Sequence, residues 1–131
     1  MRRRYDASVS QFTLERMRPA ATPWGGYFAY SDGVQVGECA FKSVPVDGRV
    51  EIAYHTFEPF ERRGLATQMA RELVAIARRT DPALVIVAQT LRETNASARI
   101  LQKIGFTCVG SVQHPEDGEV LEWHLAPVER A

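Results

Sequence analysis

The sequence predicts a mixed α/β domain built on a mostly antiparallel sheet, and three observations predict it. Asp32-Gly33, Asp47-Gly48 and Asp117-Gly118 each separate two strand-like runs, and Asp-Gly favours the tight turns whose twist matches a hairpin. Residues 64–79 instead space their apolar side chains as one face of a helix, and residues 84–88 follow as a short, continuous apolar run. A strand, a helix and a strand in that order imply a right-handed crossover and two parallel strands.

Each element has its own signal. Residues 10–17 fit a strand or a short helix, and the first 23 residues are the least regular part of the chain. Runs 25–30 and 34–41 flank the first Asp-Gly pair. The second run continues through Ser43-Val44-Pro45-Val46 and Asp47-Gly48 to residues 50–57, where Pro45 marks an irregular or edge junction. The helix over 64–79 places Leu65, Ala66, Met69, Ala70, Leu73, Val74, Ile76 and Ala77 on its apolar face. Arg78 and Arg79 suit the negative end of its dipole, and Asp81-Pro82 stops it. Residues 84–88 read as a central strand buried on both faces. A second helix over 95–104 is capped by Thr94 or Asn95 and ended by Gly105. Runs 106–112 and 119–125 form the last hairpin around Asp117-Gly118.

Composition narrows the class. A chain of 131 residues suits one domain, 1–131, with its own core. Sixteen basic residues balance sixteen acidic ones, which gives no argument for nucleic acid or an anionic membrane. No apolar run reaches the length of a membrane span, and none follows Arg2, Arg3 and Arg4 to make a signal peptide, so those arginines read as a solvated terminus. Cys39 and Cys108 lack metal or redox spacing and read as reduced, buried, small apolar residues of a cytoplasmic protein. His55, His114 and His124 are scattered, which argues against a metal site.

The chemistry concentrates at Glu61-Arg62-Arg63-Gly64-Leu65-Ala66-Thr67, between the strand over 50–57 and the first helix. The first N–H groups of a helix lack partners within it, and its dipole puts partial positive charge there. Gly64 lets a ligand approach closely, and Arg62 and Arg63 add charge for a diphosphate. The turn lacks the Gly-x-x-x-x-Gly-Lys pattern of a nucleotide-binding phosphate loop. Taken alone it also fits a solvated basic corner.

With the strand Val50-Glu51-Ile52-Ala53-Tyr54 before it and Thr94-Asn95-Ala96-Ser97-Ala98-Arg99-Ile100-Leu101-Gln102-Lys103-Ile104-Gly105-Phe106 after the buried strand, the turn completes a pattern. Over roughly residues 25–125 the chain resembles the GNAT superfamily of acyl-CoA-dependent N-acetyltransferases, in the branch that includes ribosomal-protein N-terminal acetyltransferases. The resemblance implies a mixed sheet whose two central parallel strands splay apart, with flanking helices and acetyl-CoA in the opening. It places the diphosphate on Arg62, Arg63 and the helix start at Gly64, Leu65, Ala66 and Thr67. The pantetheine arm pairs with backbone around His55, Thr56 and Phe57, and the Asn95 side chain bonds a pantetheine amide. Three departures accompany it: Glu61 leads the loop where Gln or Arg is usual, Leu101 stands where the family often has a thiolate-protonating Tyr, and the N-terminal region is short. That short region leaves the acceptor cleft open or completed by a second copy of the chain, as a homodimer.

Direct acetyl transfer to an amine needs a base, stabilised carbonyl and thiolate charge, and aligned substrates, with no covalent enzyme intermediate. Glu51 is the first candidate for the base; it equally fits a strand residue set against Arg49 or a neighbouring lysine. Period-two alternation puts His55 on the face of Glu51. Its ring titrates in the right range, but a strand histidine is more often a packing residue. Glu58 and Glu119 are weaker candidates. Ser97 is the candidate for protonating the thiolate, against a plain role in satisfying the helix start. Trp24, Tyr27 and Trp123 offer aromatic surface for an acceptor pocket, although Trp123 alternates with Leu121 and Leu125 as a core residue does. Two functions follow: an N-acetyltransferase acting on a small-molecule or peptide amine, or a GNAT-like module that binds acyl-CoA or a protein without turnover.

Overall fold

The computed structural model describes residues 11–92 and 95–128. Seven strands form one sheet: β1 (Phe12–Arg16), β2 (Gly26–Ser31), β3 (Val34–Phe41), β4 (Arg49–Thr56), β5 (Val85–Leu91), β6 (Thr107–His114) and β7 (Gly118–Leu125). Their order across the sheet is β1-β2-β3-β4-β5-β7-β6. Helix α1 (Leu65–Thr80) links β4 to β5, and α2 (Asn95–Ile104) links β5 to β6. Every neighbouring pair is antiparallel except β4 and β5, which run parallel as the crossover requires. The expected fold class is therefore the observed one.

All three Asp-Gly pairs turn the chain as their φ angles demand. Asp32 and Asp47 stand at φ 51 and 52, and Gly33, Gly48 and Gly118 at 84, 74 and 75. The junction at Pro45 is irregular, closing through a lone bridge between Val46 and Arg49. Residues 10–17 resolve as a strand over 12–16: Leu14 pairs with Ala29, and alternate side chains turn toward the core. A helix would have left the outer edge of β2 unpaired.

One buried cluster joins both helices to one face of the sheet. Met69, Leu73 and Ala77 of α1 and Leu101 of α2 are fully buried there beside Ile52, Ile86 and Trp123. The guanidinium of Arg78 locks the far end of α1 to the sheet by donating to the carbonyls of Pro82, Leu84 and Ala126. Burial there lowers the pKa of Arg78. Cys39 is buried, and desolvation pushes its thiol up to about 12. Cys108 departs from expectation: it is exposed, because β6 is the outer strand of its edge and most of its side chains stay in solvent.

Strand β5 runs three residues beyond the apolar stretch, through Gln89, Thr90 and Leu91. Thr90 is buried and tolerated because its Oγ1 accepts a hydrogen bond from Trp123 Nε1 at 3.0 Å. Strands β4 and β5 pair only from Arg49↔Val85 to Glu51↔Val87. Beyond that both continue, β4 to Thr56 along β3 and β5 to Leu91 along β7, without pairing each other. The two central strands splay, and the site lies in that opening.

Candidate active site

Two cavities meet at the splay. The first, about 470 Å³, lies between the β4 end, the α1 start and the α2 start. It is lined by Tyr54, His55, Thr56, Phe60, Glu61, Arg62, Gly64, Leu65, Ala66 and Thr67, with Ala96, Ser97 and Ile100 opposite. Gly64 sits at φ 77 with nothing within 4 Å of where a Cβ would be, so its face of the turn is open. No side chain caps α1, no acidic residue occupies its first turn, and the first helical bond runs from Gln68 N–H to the Gly64 carbonyl at 3.2 Å. The N–H groups of Leu65, Ala66 and Thr67 precede that bond and have no carbonyl within the helix. Arg62 holds a left-handed φ of 67 beside them. Such backbone belongs to sites where a ligand or tight turn fixes it.

Thr56 supplies a second mark of a binding site. Its Oγ1 is buried in this cavity wall and has no hydrogen-bond partner among the described residues. A buried hydroxyl without a partner is costly and points to a ligand group. Opposite Thr56, on β3, Gly37 lets the strands close up: a Cβ there would stand 2.3 Å from the His55 carbonyl oxygen.

The second cavity, about 200 Å³, passes through the splay to the face on which no described helix packs. Lys42, Glu51, Ala53, Gln89, Thr90, His114 and Asp117 help line it, and Tyr54 and Ser97 belong to both cavities. Glu51 Oε2 lies 3.4 Å from Lys42 Nζ, so the neighbouring-lysine contact is present while the carboxylate also borders the cavity. Alternation keeps His55 on the Glu51 face, exposed, its ring 5.9 Å from Phe57 and edge-on. There Met17, Glu38, Ala40, Ala53 and His55 edge a shallow groove.

The expected residues do not all converge. Arg63 turns away from the first cavity, stacks over Phe60 at 5.6 Å and borders a separate hollow with Asp32 and Gln68. Phe57 lines neither cavity; its N–H donates to the Val36 carbonyl at 2.8 Å. The backbone of Asn95 begins α2, but its side chain lies outside the described residues, as does Thr94. Leu101 is fully buried. Glu119 is engaged by Arg92 and Ser111, and Glu58 is exposed in the 3₁₀ turn Glu58–Phe60. Trp24, Tyr27 and Trp123 line neither cavity: Trp24 packs edge-on to Phe41 at 4.9 Å, and the other two are core. Among the described residues, no group of three or more His, Cys, Asp or Glu could hold a metal ion. Among the same residues, no helix is long and apolar enough to cross a membrane. Sequence reasoning missed Tyr54, Thr90 and Lys42 as wall residues; period-two counting from Val50 and Ile52 does put Tyr54 on the helix-covered side of β4.

The fold has relatives. A GNAT acetyltransferase from Bacillus anthracis superposes with a TM-score of 0.68 at 16% identity, over 78% of this chain and 66% of its own. A Salmonella typhimurium acetyl transferase described as modifying the N-terminal serine of ribosomal protein L7/L12 gives 0.68 at 18% identity, over 79% and 63%. The Salmonella typhimurium acetyltransferase yncA, solved with acetyl-CoA, gives 0.67 at 23% identity, over 81% and 66%. The chain thus spans slightly less than two thirds of each. No curated protein matches it. The model of the acetyltransferase (GNAT) domain family matches residues 3–107. The chain belongs to the GNAT acetyltransferase family.

Proposed function

We propose that this chain is an acetyl-CoA-dependent N-acetyltransferase that moves the acetyl group to a primary amine of a small molecule or peptide by direct attack. The observation that carries the reading is the parting of β4 and β5 beyond Glu51 and Val87, opening onto the uncapped start of α1. Structures of the same fold are described with CoA, with acetyl-CoA, and with acetyl-CoA and AMP. The residues here fit such a donor: the open Gly64 face offers room for a diphosphate and the orphaned Thr56 hydroxyl offers a partner.

The chain's own groups then divide the work. The N–H groups of Leu65, Ala66 and Thr67 and the Arg62 side chain hold the diphosphate. Backbone of β4 around His55 and Thr56, where the groups of Thr56 point away from β3, pairs with the pantetheine arm as an added strand would, and Asn95 bonds one of its amides. Bound acetyl-CoA supplies the activated acyl group. Glu51 takes the proton from the attacking amine, directly or through water, and Ser97 gives a hydrogen bond to the departing thiolate while it is protonated. Acceptors reach the carbonyl from the Glu51 face, where no described helix covers the sheet.

The test is thermal. Acetyl-CoA is expected to raise the melting temperature, and Gly64→Glu, which sets a carboxylate in the anion cradle at a strained φ, is expected to abolish the rise. Thiol release from acetyl-CoA across amines, peptides and aminoglycosides then reads turnover. No rise with the unmutated protein would overturn donor binding. A rise without thiol release on any acceptor would favour the binding-module reading.

A further inference from the structure

Tyr54 carries an inference that rests on the acetyl-transfer reading and goes beyond it. The alternation of β4 puts Tyr54 on the side of Val50 and Ile52, both buried beneath the helices. Those two lie where, or just after, β4 pairs with β5, whereas Tyr54 comes past the last pair, Glu51↔Val87. It packs against the core and borders both cavities, a position it shares among the described residues with Ser97 alone. Its hydroxyl makes no hydrogen bond to any described residue. Burial pushes this phenol up to about 12. It therefore keeps its proton at neutral pH, and a thiol, at about 8.5, is too strong an acid for its thiolate to remove it. The group is thus a fixed donor rather than a proton source.

We propose that the Tyr54 hydroxyl donates a hydrogen bond to the thioester carbonyl oxygen as negative charge develops on it. The amine nitrogen bonds to the carbonyl carbon, the C–S electron pair leaves on sulfur, and the amine proton passes to Glu51 or water. The thiolate takes its proton from solvent while Ser97 donates it a hydrogen bond, and Tyr54 keeps its own throughout. Charge on the carbonyl oxygen exists only between reactant and product, so the bond strengthens on the way to the transition state and contributes to rate rather than to donor affinity.

The experiment compares Tyr54→Phe with the unmutated protein. Removing one such donor is expected to lower kcat by ~10²–10³-fold, leaving the acetyl-CoA-induced rise in melting temperature and the KM for acetyl-CoA unchanged. The ring is retained, so the variant folds, and its melting temperature without ligand checks that. A kcat within twofold of the unmutated value overturns the proposal. So does a parallel loss of acetyl-CoA binding, which would make Tyr54 a wall residue of the donor site. An unmutated protein that releases no thiol with any acceptor instead overturns the transferase reading on which this one stands.

Discussion

The two ends of β4 do opposite jobs. From Arg49 to Glu51 the strand is held by parallel β5 on one side and by the chain just after β3 on the other, where Arg49 bridges Val46 and the Glu51 carbonyl accepts from Lys42 N–H, and Val50 is 2% exposed. From Ile52 to Thr56 it keeps β3 but loses β5, and the apolar filling gives way to Tyr54, an orphaned hydroxyl at Thr56 and an exposed His55. The first end is satisfied: its backbone is bonded on both sides and its inward side chain, Val50, is packed. The second is left incomplete, and that incompleteness is where a donor with amides, a carbonyl and a diphosphate fits. The teaching is general in its physics, since a strand that stops pairing in a sheet interior exposes backbone groups that want a partner.

The contrast can be broken at either end, and the largest effect belongs to the sealed one. Ile86 is fully buried opposite Val50, so Ile86→Ala removes core volume that nothing can refill. It is expected to cost about 2–5 kcal/mol of stability in denaturant unfolding. At the splayed end the sign reverses. Thr56→Val keeps the shape but removes a buried hydroxyl that has no partner, so stability without ligand is expected to rise by about 1 kcal/mol. The same change should shrink the stabilisation that acetyl-CoA confers. A Thr56→Val protein that is destabilised, or bound by acetyl-CoA as before, would mean the two ends do not differ in this way.

Most of the scaffold was legible because its signals are local. The Asp-Gly turns, the period of α1 and the apolar run of β5 each state their conformation within a few residues. What escaped depends on partners far along the chain. Gln89 and Thr90 lie beyond the apolar run over 84–88, and it is Trp123 that supplies the bond letting Thr90 be buried in the strand. Cys108 reads as core until its strand proves to be the sheet edge. At the site, the turn through Arg62 and Gly64 was legible, but the direction of each arginine was not. The left-handed φ at Arg62 precedes Arg63, which stacks on Phe60 instead of facing the cavity. Tyr54 was within the quoted strand motif, yet its role emerges only where β4 and β5 part.

The central claim, that acetyl-CoA completes the splayed end of β4, is tested most directly by amide hydrogen exchange with and without acetyl-CoA. Protection is expected to rise at the Tyr54 and Thr56 amides, which point away from β3, and at 65–67, while 49–51, already held by β5, Val46 and Lys42, stay unchanged. Unchanged exchange over 53–57, or an equal rise along the whole of β4, would contradict it.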